Sequence, residues 1–477
     1  MGQEISGHEF SAADFAVFSD RLRVETGLLH QWFREGGLSS RHGIGGFELE
    51  AWLVNRDNCP APINEEYLAL LDDGLFSPEL SKFNIELNST PLAVSADALS
   101  CMERELLWNW DHCRQVAWQL QADLVMIGIL PTVSEAMLTI EQMSAMRRYR
   151  ALNEQVLRMR GGKPLPLEIH GIQSLRTVHD DVMLEAATTS FQVHLQVAMD
   201  KAARYYNSAI ILSAPMVAIS ANSPLLFGKR LWQETRIPLF EQAVSVGGFA
   251  DAAFGPVKRV SFGTGYVRNS LVEVFQENLE HFPVLLPVAL DEQPQGLSHL
   301  RLHNGTIWRW NRPLVGFDDD GTPHLRLEHR VIPAGPSVVD AIANAAFFYG
   351  LIRNMAEGGV APEASLRFDR ARDNFYAAAQ YGMNATVSWV DGHHGRLSDL
   401  LSDVLLPQAY EGLRSLGCAE EDIRRYLGII HGRLETRQTG AAWQLAWLDE
   451  HGDDLAALTG CYREHQDSGT PVHTWPV

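Results

Sequence analysis

The stretch Gly46-Phe47-Glu48-Leu49-Glu50-Ala51-Trp52-Leu53-Val54 alternates with the two-residue period of a β-strand. Phe47, Leu49, Ala51 and Leu53 take one face; Glu48, Glu50 and Trp52 take the other. Strand side chains at i and i+2 point the same way, about 6.6 Å apart along the chain. Two carboxylates are therefore aimed together from a strand whose other face is apolar. Alone, such a pair reads as a solvated strand face. Brought together in a cleft, it reads as a site for a cation, because like charges that close repel.

Three further segments share this design. Phe83, Ile85 and Leu87 oppose Asn84, Glu86 and Asn88. In Ser190 to Val197, Phe191, Val193, Leu195 and Val197 oppose Gln192, His194 and Gln196. In Leu325 to Val331, Leu325, Leu327, His329 and Val331 oppose Arg326, Glu328 and Arg330. The alternation places His329 on the apolar side, as a structural residue. The turn Asp318-Asp319-Asp320-Gly321 precedes the last segment and predicts a hairpin whose first arm spans roughly Leu300–Arg312. Lysine is absent from all the polar faces, which carry Glu, Gln, Asn, Arg and one His. One mainly antiparallel sheet with helices on its apolar side and a cleft on its polar side accounts for this pattern, giving an α+β fold. A sheet with a solvated outer face would alternate in the same way.

Helical periodicity places helices at residues 11–35, with Ser11 as cap, and at 64–75, 96–121, 139–160, 201–221 and 232–244. The 139–160 segment carries Arg147, Arg148, Arg150, Arg158 and Arg160, read as a solvated face or as packing with the acidic surface. Asp123–Leu130 is apolar throughout and reads as a strand covered on both faces. Residues 245–298 read as irregular. From Ser337 onward the chain reads as helical, with breaks near Gly358–Pro362, Asp391–Gly395 and Gly417, and as a tail from Asp467. The reading is of a catalytic unit at 1–365 and a helical region at 366–477 packed on it. There is no internal repeat and no low-complexity segment.

The 477 residues are 46% hydrophobic and 21% charged, which is ordinary globular composition with apolar mass for a large core. The net charge of −20 disfavours nucleic acid and anionic lipid as partners. The five cysteines are scattered and form no C-x-x-C, so reduced thiols in a cytoplasm are expected. The N-terminal Met1–Phe10 lacks the basic and apolar regions of a signal peptide, though it fits the short M-G-x-x-x-[ST] myristoylation pattern. The longest apolar run, Ser208 to Ala221, is too short to span a membrane and contains Pro215.

Several carboxylates with one imidazole form an oxygen-rich site that suits Mg²⁺ or Mn²⁺ better than zinc. Clustered divalent ions beside arginines serve phosphoryl transfer. No P-loop, no G-x-G-x-x-G opening a helix and no G-x-S-x-G is present.

The motifs G-G-F-E-L-E (45–50), P-E-L-S-K-F-N-I-E-L-N-S-T-P (78–91), F-Q-V-H-L-Q-V (191–197), S-A-N-S-P-L-L-F-G (220–228) and R-L-E-H-R-V-I-P-A-G-P-S-V-V-D (326–340) resemble, in this order, glutamate–cysteine ligase family 2, the bacterial carboxylate–amine ligases. The likeness covers roughly residues 12–360, and T-G-A-A-W-Q (439–444) shares it. The resemblance implies a glutamine-synthetase-like fold, in which a curved antiparallel sheet cups ATP, metals and substrate. It also implies ATP- and Mg²⁺-dependent amide formation between glutamate and an amine such as cysteine, through an acyl phosphate. As metal ligands it implies Glu48, Glu50, Glu79, Glu86, His194 and Glu328. It makes Arg330 the residue that stabilises the transferring phosphoryl group. Arg236 becomes a substrate-carboxylate arginine, with Arg309 and Arg312 as further phosphate or carboxylate contacts. The Trp- and Arg-rich segment 303–313 is read either as a stacking surface for an aromatic or nucleobase partner or as a core hairpin. The partners expected are small molecules, with a homo-oligomer left open. The alternatives are a metal-dependent hydrolase on the same cleft, a ligase using a different carboxylate or amine, and a non-catalytic scaffold.

Overall fold

The computed structural model describes residues 10–246, 258–390, 392 and 394–477. The myristoylation pattern, residues 247–257 of the segment read as irregular, and part of the break near Asp391–Gly395 lie outside the described residues.

The strand Ile44–Val54 is the spine of a curled sheet in which every pairing is antiparallel. Asn84–Asn88 flanks it on one side, followed by Phe76–Pro78. Phe191–Val197 flanks it on the other, followed by Pro323–His329 and Asn311–Phe317. The short strands Leu92–Ala93 and Asp123–Val125 pair with its two ends. The Asp318–Gly321 turn joins the last two long strands as a hairpin, with Gly321 at a φ of 82°.

The alternation sorts the faces. Helix Val338–Glu357 lies on the apolar side: Tyr349 Oη donates to the Gly46 and His194 carbonyls, and the Phe348 ring stacks on His329 at 4.2 Å. Gly45 leaves room for that helix, since a Cβ there would sit 2.6 Å from Tyr349 Oη. Helix Ala202–Ser220 covers the same side, where Ser213 accepts a hydrogen bond from Asn311. Ser337 caps helix Val338–Glu357, accepting from Asp340 N. Gly335, just before it, has a φ of 81° and lies so close to Met126 O that a Cβ would approach within 2.2 Å, so only glycine serves.

The structure departs from the sequence reading in several places. Only Asp123–Val125 of the 123–130 run is a strand. Beyond it the Ile127 carbonyl accepts from Trp52 Nε1 and Thr189 Oγ1, so side chains take the place of a ladder. The helix expected at 139–160 spans Arg147–Met159, because Met143 bridges to Ser81 and Ser144 is tied to Glu79 and Asn64. The first part of the arm expected at Leu300–Arg312 is a helix, Ser298–Gly305; its strand runs Asn311–Phe317. Buried Glu25 of helix Ala12–Glu35 fixes this helical turn, accepting from Leu300 N at 2.8 Å and contacting His299 Nδ1 at 2.7 Å. Helix Val272–His281 lies within the segment read as irregular. The hairpin Leu165–His170 with Ser174–His179 has no counterpart among the elements the sequence predicts.

The residues from Asp467 on are packed rather than a tail: Trp475 is 3% exposed, and Val472 N donates to Asp340 Oδ2. The C-terminal helices tie into the core. Buried Arg433 pairs with Asp340 at 2.7 Å and donates to Asn344 Oδ1 and the Ile219 carbonyl. No described helix is long and apolar enough to cross a membrane. All five cysteines are free.

Candidate active site

Strand register builds the site in rows across the polar face. In one row Arg312, Glu328, His194 and Gly46 lie side by side on neighbouring strands. In the next, Gln192, Glu48 and Asn88 do the same. In the third, Glu50 faces Glu86, which faces Ser77. Because glycine stands at position 46, the His194 ring can lean diagonally toward Glu48, the arrangement expected of diagonal cross-strand neighbours.

Two groups of ligating atoms result. Glu48, His194 and Glu328 form one; Glu50, Glu79 and Glu86 form the other; within each group the donor atoms lie within 4.8 Å of one another. His194 Nε2 stands 3.3 Å from Glu48 Oε1 and 4.0 Å from Glu328 Oε1. Both ring nitrogens of His194 and Oε2 of Glu48 are buried without a hydrogen-bond partner. Leaving such atoms unmade is costly unless something occupies the site. The donors are carboxylates plus one imidazole, so the residues fit Mg²⁺ or Mn²⁺.

The surrounding hydrogen bonds aim these ligands. Glu50 accepts from Ser190 N at 2.7 Å, Ser190 Oγ at 2.9 Å and Gln192 Nε2 at 2.8 Å. Glu86 accepts from Ser77 Oγ and Asn88 Nδ2. Glu328 takes a two-pronged contact from Arg312, at 2.7 and 2.8 Å, and lies 3.2 Å from Arg330 NH1. Arg330 also donates to Gln192 Oε1, which links the two groups through one amide.

The charges divide the site. Burial opposes ionisation of Glu328, but Arg312 and Arg330 outweigh it and hold the carboxyl well below its ordinary range. Burial also opposes ionisation of Glu48, and His194 tips it below the ordinary value. At the other end, burial and then the Glu86 charge push Glu50 up to about 7. Burial, with Glu86 and Glu50, pushes Glu79 well up; burial and Glu48 raise Glu86. Burial works against the charge of Arg330, and the carboxylates of Glu328, Glu50 and Glu48 more than restore it. A divalent cation among the raised carboxyls reverses this logic, because its charge favours the ionised forms.

Glu48, Glu50, Glu79, Glu328, Arg312 and Arg330 line a cavity of about 360 Å³; His194 and Glu86 belong to the two groups without lining it. One end is acidic: Glu50, Glu79, Glu185, with Arg148 and Tyr149 beside them. The other is mostly apolar, with Leu286, Leu290, Leu300, Trp308, Leu314 and Val315, and includes Arg326. Glu48, Glu328, Arg312 and Arg330 lie on the shared wall.

Of the residues expected from the sequence, Glu48, Glu50, Glu79, Glu86, His194, Glu328, Arg330 and Arg312 are brought together. Arg236 and Arg309 are not among the cavity's lining. Arg236 is buried against Glu234 at 3.1 Å and donates to the carbonyls of Arg330 and Val331, so it braces the strand end that carries Arg330. Arg309 is buried between Asn278, which it contacts at 2.6 Å, and the Phe282 ring. In segment 303–313, Trp308 lines the cavity, whereas Trp310 is buried beside Phe240 and Phe375 with its Nε1 on Glu241.

Three cavity residues are not among the site residues expected from the sequence. Arg148 was grouped with its helix arginines; helical period separates it, since Arg147, Arg150 and Arg158 are exposed while Arg148 and Leu152 turn inward. Arg326 shares the polar face with Glu328 and Arg330, and the alternation did show it. Glu185 sits in the short 3-10 turn Met183–Ala187, which has no periodicity to reveal it. Burial and the Glu50 charge push Glu185 up to about 8.

No curated protein matches the sequence. Among solved structures, a glutamate–cysteine ligase from Francisella tularensis, determined in complex with AMP, is similar at a TM-score of 0.50 and 11% identity, covering 92% of this chain and 96% of that one. A bifunctional glutathione synthetase from Pasteurella multocida is similar at a TM-score of 0.50 and 10% identity, covering 92% of this chain and 55% of that one. At such identities the likeness speaks for the fold, a curled antiparallel sheet shared with these ligases. The family model for glutamate–cysteine ligase family 2 matches residues 44–460. With a match over most of its length, the chain belongs to glutamate–cysteine ligase family 2 and is a carboxylate–amine ligase of the glutamate–cysteine ligase type.

Proposed function

We propose that this protein uses ATP and Mg²⁺ or Mn²⁺ to join the γ-carboxylate of glutamate to an amine, cysteine first among them, through an acyl phosphate. The observation that carries this reading is the pair of ligand groups, Glu48–His194–Glu328 and Glu50–Glu79–Glu86, on one sheet face with Arg330 between them.

Glu48, His194 and Glu328 would hold one ion and Glu50, Glu79 and Glu86 another. Bound there, divalent ions neutralise phosphate oxygens in the way phosphoryl transfer requires. The apolar end, with Leu300 and Trp308, takes the nucleotide base. Arg330, held charged by Glu328, faces the phosphoryl group as it moves from ATP to the γ-carboxylate oxygen, and ADP departs. Arg312 spreads the charge of Glu328 and fixes its orientation. The amine nitrogen then bonds to the acyl carbon as the carbon–oxygen bond to phosphate breaks, the nitrogen gives up a proton to the departing phosphate, and phosphate leaves. Arg148, at the acidic end, supplies a positive charge for a substrate carboxylate. Free thiols throughout fit a reducing, cytoplasmic setting.

The test is incubation with ATP, Mg²⁺, glutamate and a panel of amines. Release of ADP and phosphate that needs both glutamate and an amine supports the proposal. Metal-dependent cleavage without ATP would replace it with a hydrolase.

A further inference from the structure

Glu185 belongs to neither ligand group, yet its carboxylate lines the acidic end of the cavity. Its backbone bonds within the turn, to Val182 and Thr188, but among the described residues its carboxylate makes no hydrogen bond and no ion pair. The 3-10 turn Met183–Ala187 is anchored around it: Met183, Leu184, Ala186 and Ala187 are buried, and Asn153 Oδ1 accepts from Val182 N at 3.1 Å. A part-buried carboxylate on an anchored turn, lining a cavity without a partner, is placed for something that arrives.

A recess of about 10 Å³ adjoins the main cavity here, and Glu50, Glu79 and Glu185 line both. Asn84, which is 3% exposed, also lines the recess, and its Nδ2 has no hydrogen-bond partner. The recess has the volume of a single water. Glu50 and Glu79 are directed at the metal group. Glu185 is thus an acceptor pointing into the cavity at the end away from the apolar base-binding wall.

We infer that Glu185 receives the ammonium group of an amino-acid substrate. This rests on the ligase reading above. A primary ammonium offers three donors and a positive charge, which match a carboxylate otherwise unpaired. Both glutamate and an amino-acid acceptor carry such a group, and the geometry names the shared chemistry. The residue positions the substrate; bond making and breaking stay with the groups already described.

Binding of glutamate and of glutarate, which lacks the ammonium, can be compared by calorimetry with Mg²⁺ and a non-hydrolysable ATP analogue, so no turnover is needed. Steady-state KM values for glutamate and for the amine complete the test. If glutamate's ammonium is the partner, the wild type prefers glutamate over glutarate, and Glu185→Gln removes roughly tenfold to a hundredfold of that preference. If the acceptor's ammonium is the partner, the preference persists and the KM for the amine rises by a similar factor. In either case Glu185→Asp recovers part of the loss, and the Mg²⁺ dependence is unchanged. A Glu185→Gln protein with both KM values and the preference intact, or with only a weakened Mg²⁺ response, overturns the inference. Absence of ligase turnover with intact glutamate discrimination would count against the proposed reaction and leave this assignment standing.

Discussion

Glu50 and Glu86 stand directly opposite each other on adjacent antiparallel strands, one held by Ser190 and Gln192 and the other by Ser77 and Asn88. Like charges in that register destabilise a sheet. The hydrogen bonds around them nevertheless keep both carboxyls aimed at the same space, together with Glu79. On the proposed reading a cation binds there, and stability then depends on that cation.

Mg²⁺ is therefore expected to raise the thermal unfolding midpoint, with stabilisation of about 2.7 kcal/mol at a hundredfold excess over Kd. Glu86→Gln relieves the repulsion, gaining about 0.2–1 kcal/mol without metal. It loses most of the Mg²⁺ response. Melting curves with and without Mg²⁺ measure both, and an Mg²⁺-insensitive wild type would sink the metal assignment.

Glu328 contacts Arg312, Arg330 and, more distantly, His194. Glu328→Gln keeps the shape and removes the charge that balances two buried guanidinium groups. ADP release should fall by at least about a hundredfold, the scale of losing one preorganised electrostatic contact. Arg330→Lys should lower kcat by a similar factor with little change in the KM for ATP. Normal turnover by Glu328→Gln would contradict the role given to this carboxylate.

His303 supplies a pH dependence outside the metal groups. Burial, reinforced by the charges of Arg259 and Arg309 and opposed by its bond to the Asn278 carbonyl, pushes its imidazole down to about 4. The unfolded chain has an ordinary value of about 6.5, so between these two the unfolded state binds more protons. Stability is thus intact above about pH 6.5 and falls as pH drops toward about 4, by about 3 kcal/mol from this group. Urea midpoints measured across that range should decline less steeply for His303→Gln than for the wild type; parallel curves would exclude the effect.

The C-terminal residues are expected to be needed for stability. Trp475 packs edge-on against Trp443 and Tyr462 at 5.4 and 5.2 Å. Trp475→Ala should cost about 3–5 kcal/mol, the range for emptying a core aromatic site. Asp340→Asn leaves Arg433 with a buried, weakly compensated charge and should cost a comparable amount. Urea unfolding of both variants checks this, and changes under about 1 kcal/mol would mean that these residues are peripheral.

The alternating strands, the side each faces, the Asp318–Gly321 turn and the polar faces carrying Glu48, Glu50, Glu86, His194 and Glu328 are all legible in the sequence. The reason is that strand period maps directly onto sheet faces, and a half-buried sheet demands the pattern. What alternation cannot report is register. That His194 lies beside Glu328 and opposite glycine, and that Glu50 meets Glu86, depends on how strands from distant parts of the chain slide against one another. The helix at Ser298–Gly305 was decided by Glu25, a residue far away in sequence. Arg236, a site arginine by resemblance, is drawn beneath the strand by Glu234 and two carbonyls. Glu185 has no period at all, and only the packing of its turn places it in the cavity. Local chemistry determined which side chains face the cleft; long-range packing decided which of them meet.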